Sequence, residues 1–74
     1  MVQITDKDGV VSLQATDYEL KIDKARQIYV KKINESKFKS IGSEVPLGLT
    51  LDEKKKYLYN LHQMIEKKRR EQGE

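Results

Sequence analysis

"TDYELKIDKARQIYVKKINES", residues 16–36, is the stretch on which the reading of the fold turns. Thr16 stands where a helix N-cap would, and Glu19 follows at the capping-box spacing. Tyr18, Ile22, Ala25, Tyr29 and Ile33 then recur at steps of four, three, four and four, which is one stripe on a helix. This spacing predicts helix one over residues 17–36, with Ala25 small enough at its middle to let a second helix approach. Leu20 and Val30 fall on the far side of the stripe and Ile28 on a flank, so a helix here needs cover on two sides.

Towards the C-terminus, "TLDE" (50–53) repeats the capping device and opens "TLDEKKKYLYNLHQMIEKKRR". Helix two is expected over 51–70, with a frayed tail at 71–74. Leu58, Leu61 and Ile65 form its apolar seam, Leu51 precedes them, Tyr57 and Met64 flank one side and His62 the other. Between the helices, residues 37–50 hold Phe38, Ile41, Val45, Leu47, Leu49 and the only proline, Pro46. That segment is too long for a helix-turn-helix connection and apolar enough to pack, so an ordered loop is expected, turning helix two antiparallel to helix one.

Towards the N-terminus, Val2 and Ile4 alternate with polar residues, as do Val11 and Leu13 beyond Asp8-Gly9. Residues 1–15 therefore read as a β-hairpin with Gly9 at positive φ. A lone hairpin is unstable in water, so it must lie on the helices. The expected fold is α+β: one small domain with an N-terminal β-hairpin packed on two antiparallel α-helices.

At 74 residues, 36% apolar and 36% charged, the chain has little with which to build a core. It has no cysteine, so neither a disulfide framework nor a thiolate metal site is open to it. A second chain completing the core is expected, as a homo-oligomer or with a larger protein. The net charge of +3 is spread along the chain, which permits nucleic-acid contact without demanding it. The opening "MVQITDKDGVV" lacks a basic region and a long apolar run, so no signal peptide is expected. No apolar stretch approaches the roughly 18–20 residues that span a bilayer. These features predict a cytoplasmic protein without a membrane partner. Lysine far outnumbers arginine, a bias that fits an AT-rich bacterial or phage genome.

Catalytic chemistry finds no foothold. His62 is the only histidine and sits beside an apolar seam, the place of a structural residue rather than a ligand. "DKDG" (6–9) has the centre of a calcium loop, but Ile4 and Ala15 would fall at its first and last ligand positions. No glycine-rich phosphate cradle and no nucleophile with a base in reach is apparent. No enzyme activity, cofactor, metal or small-molecule substrate is expected.

What is left is helix two and its two faces. Its apolar face, Tyr57, Leu58, Leu61, Met64 and Ile65, is wider than helix one's stripe can cover and is the expected protein-binding surface. Its polar face, Lys56, Asn60, Gln63, Lys67 and Arg70, is the alternative: cations for phosphates and amides for base edges. The expectation is a small non-catalytic interaction protein, an adaptor or regulator.

Overall fold

Asp8 and Gly9 both take positive φ, 53° and 81°, which is the geometry of a type I′ hairpin turn. They join β1 (Gln3–Lys7) to β2 (Val10–Gln14), so the N-terminal hairpin forms where the alternation placed it. The computed structural model describes residues 2–72. Beyond the hairpin it departs from the expected architecture. Three more strands follow, β3 (Tyr18–Ile22), β4 (Gln27–Lys32) and β5 (Lys39–Glu44), and then α1 (Leu51–Glu71). The strands form one antiparallel sheet in the order β1-β2-β3-β4-β5.

Helix one over 17–36 does not exist, and neither does a helical hairpin. A spacing of four residues satisfies a helix, but it equally satisfies a strand, where i, i+2 and i+4 share a face. Tyr18 and Ile22 do lie on one face, as both readings require. Leu20, stranded off the helical stripe, is the residue that decides: in β3 it joins them, and all three are buried. The segment is also rich in aromatic and β-branched residues (Tyr18, Ile22, Ile28, Tyr29, Val30, Ile33), which suit a pleated surface. Between β3 and β4 the carboxylate of Asp23 accepts from the amides of Ala25 (3.0 Å) and Gln27 (2.9 Å), a local turn device. Ala25 thus lies in a turn, and Tyr29 projects to the opposite sheet face from Tyr18. Nor is 37–50 a loop throughout: its middle is edge strand β5, with an irregular register against β4 around Gly42.

Successive ladders align the core. Ile4, Leu13, Leu20 and Val30 stand opposite one another, as do Val11, Ile22 and Ile28. α1 crosses this face over β2 and β3. Leu58 is its fully buried residue, seated among Val11, Leu13, Leu20, Ile22, Ile28 and Val45. Thr50 caps the helix as expected: its hydroxyl accepts from the Glu53 amide (3.2 Å), and the Glu53 carboxylate accepts from the Thr50 amide (2.9 Å). Glu71 continues the helix and Gln72 caps it, so the expected fraying does not begin at 71; positions 73 and 74 lie outside the described residues. Among the described residues, no helix is long and apolar enough to cross a membrane.

Candidate functional site

The far half of α1 is fastened to the start of β3 by a chain of polar contacts. His62, Glu66 and Arg69 follow one another at helical spacing, so they project to one side. Tyr18 meets them from the sheet. Its hydroxyl donates to Glu66 Oε2 at 3.2 Å. The same oxygen shares a second hydrogen bond with His62 Nδ1. Arg69 then forks onto both carboxylate oxygens of Asp17, at 2.7 and 3.1 Å, and touches Glu66 Oε2 at 3.2 Å. Burial first, and the charge of Glu66 second, push the Tyr18 phenol well above its ordinary pKa. The Arg69 guanidinium holds the Asp17 carboxyl below its ordinary value. Together these contacts fasten the far half of α1 to the start of β3.

Beside this fastening lies an open groove of about 640 Å³. It opens where the end of β4 runs beside the far half of α1, past Ile28, which is buried in the core. Val30, Ile33 and Ile65 make its apolar floor; Asp17, Lys32 and Arg69 line its rim. Ile33 is 44% exposed.

The sheet changes the meaning of the expected protein-binding residues. Leu58 is wholly buried, and Tyr57, Leu61 and Ile65 are half-buried against the core. The sheet covers Leu58 completely and part of each of the other three. Met64 stands free, 59% exposed. The polar set Lys56, Asn60, Gln63, Lys67 and Arg70 is exposed throughout, and its cations form no ion pair among the described residues. His62 is buried and bonded to Tyr18. Among the described residues, no group of three or more His, Cys, Asp or Glu side chains is arranged to hold a metal ion.

No protein-family model, curated protein or solved structure matches this chain. The function must therefore be read from its own surfaces.

Two of those surfaces were hidden by the helical reading of 17–36. One is the groove floor at Val30 and Ile33. The other is the sheet face turned away from α1, where Lys21 Nζ stands 4.1 Å from the Phe38 ring centre and 5.3 Å from that of Tyr29. Lys31 Nζ approaches the Phe38 centre to 5.6 Å. The signal was present in "QIYVKK" (27–32), where Gln27, Tyr29 and Lys31 alternate with Ile28 and Val30.

Proposed function

We propose that the protein is a small non-catalytic interaction protein that docks through the groove beside α1, and that the occupant is a second copy of the chain. The observation that carries this is the open floor of the groove. An apolar floor continuous with the core is left open at Val30, Ile33 and Ile65, between the end of β4 and the far half of α1. In so short a chain, closing such a surface adds materially to a thin core. The rim favours self-docking. Its Asp17 and Arg69 already neutralise each other within the chain, so two copies could bring these rims together without a large like-charge penalty, and a two-fold contact buries the same floor on both.

Light scattering across micromolar to millimolar concentrations tests this, with Ile33→Asp as the variant. Ile33 is exposed enough to accept a carboxylate without unfolding. A concentration-dependent dimer in the wild type, and a folded monomer in Ile33→Asp, is the expected result. A wild type that stays monomeric throughout, or a variant that still dimerises, overturns the reading.

A further inference from the structure

We propose that the sheet face opposite α1 binds single-stranded RNA. The site stands independently of the groove, on the other side of the sheet. Strand alternation decides what this face carries. In β1, Ile4 and Asp6 point to the helix side, where Asp6 pairs with Lys55, so Thr5 and Lys7 point away. Pairing then sets Thr5, Ser12, Lys21, Tyr29 and Ser40 in one row across all five strands. No element of the described chain lies over that row.

The row combines what a single strand requires. Tyr29 and Phe38 offer two rings close enough to share the Lys21 ammonium, and bases of any sequence stack on such rings. Lys7 and Lys21 have no carboxylate partner among the described residues, whereas Lys31 is held by Glu19 at 3.9 Å and by the Glu35 carbonyl at 3.1 Å. The free cations are therefore those a phosphate would meet. A base arriving on Phe38 displaces the Lys21 ammonium from the ring, and its flexible stem lets it turn to the neighbouring phosphate. The hydroxyls of Thr5 and Ser12 can donate to and accept from a ribose 2′-hydroxyl, and that of Ser40, which already accepts from the Gly42 amide, can donate to one, which favours RNA over DNA. Asp23, whose Oδ1 accepts from two backbone amides, still acts on the Tyr29 phenol with its charge, so the phosphates would lie towards Lys7 and Lys21 and away from it.

The test is fluorescence anisotropy of the full chain with labelled oligo(U) and oligo(dT) at two salt concentrations. Phe38→Leu and Tyr29→Leu keep apolar bulk and remove the rings; circular dichroism checks that they fold. Each should weaken oligo(U) binding by about 5- to 150-fold, the worth of one stacked base. Lys21→Gln, at a polar position, should lower the logarithmic salt slope by about 0.7 and carries the test even where a ring variant unfolds. Lys56/Lys67/Arg70→Ala, on the helix, should leave binding unchanged. Absence of oligo(U) binding, oligo(dT) bound as tightly, insensitivity to Lys21→Gln, or loss only in the helix variant overturns the proposal.

Discussion

The Tyr18 hydroxyl and His62 Nδ1 share a buried hydrogen bond that joins the first residue of β3 to α1 across 44 positions of sequence. It lies at the edge of the core and continues into charged groups at the surface. Loss of the Tyr18 oxygen would leave His62 Nδ1 unpaired, while Glu66 keeps Arg69. Tyr18→Phe should therefore cost about 1–3 kcal/mol, the range for leaving buried polar groups unpaired. Urea denaturation reads this directly, and an unchanged midpoint would show that the bond does not hold the helix down.

The same residue makes stability sensitive to alkali. Burial and Glu66 raise the phenol's folded pKa above its ordinary value of 10.0, so the folded state keeps a proton that the unfolded state gives up. The contribution is whole below pH 10 and is lost as the pH rises beyond it. Melting temperatures across this range should fall in the wild type, and Tyr18→Phe should flatten that decline.

Acid acts on the other end of the fastening. Asp17 is lowered by its hydrogen bond to Arg69, so its contribution is present above the ordinary carboxylate pKa of 3.8 and fades as the pH falls through the lower folded value. The pair is half-exposed, so its contribution is small and sensitive to salt. Asp17→Asn should remove that part of the acid dependence below pH 4, measured as the difference between the two proteins' midpoints.

In the core, Leu58→Ala should be far more damaging than Leu61→Ala. Leu58 is fully enclosed by the sheet and Leu61 only half-buried against it. The first loss is expected at about 2–5 kcal/mol, enough to unfold most molecules of a domain whose total stability is about 5 kcal/mol or less. Equal midpoints for the two variants would place the helix at a different rotation.

At the helix start, Thr50→Ala should cost about 1 kcal/mol, through loss of the hydroxyl that accepts from Glu53. Thr16→Ala should cost less, although "TDYE" and "TLDE" look alike as motifs, because Glu19 belongs to a strand and faces Lys31. The comparison is made by thermal melts of the two variants.

Those two motifs show what was legible and what was not. α1 could be read because its cap is followed by a long run with no β-branched residue before Ile65, and by a seam that only a helix aligns. The first hairpin could be read because Asp8-Gly9 permits few conformations. Between them, a four-residue spacing fitted both periods, and Leu20 and Val30 were treated as exceptions when they were the pattern. The candidate surfaces inherited that error. With β3 and β4 read as a helix, nothing pointed to Ile33 as a groove floor or to Tyr29 and Phe38 as neighbours, since their proximity depends on strand pairing. The polar face of α1 was visible because it needs only the helix.

Every strand in the sheet pairs with its neighbour in the chain, so each ladder closes through a short local connection. Only α1 reaches back far, with Arg69 returning to Asp17 across 52 positions. Loop closure is inexpensive for the hairpins and largest for this return. The strands can zip in succession, and on this topology the helix would settle on β2 and β3 last, after the sheet has set the barrier. Leu58→Ala should then accelerate unfolding more than it retards folding, and changes in the Asp8-Gly9 turn should do the reverse.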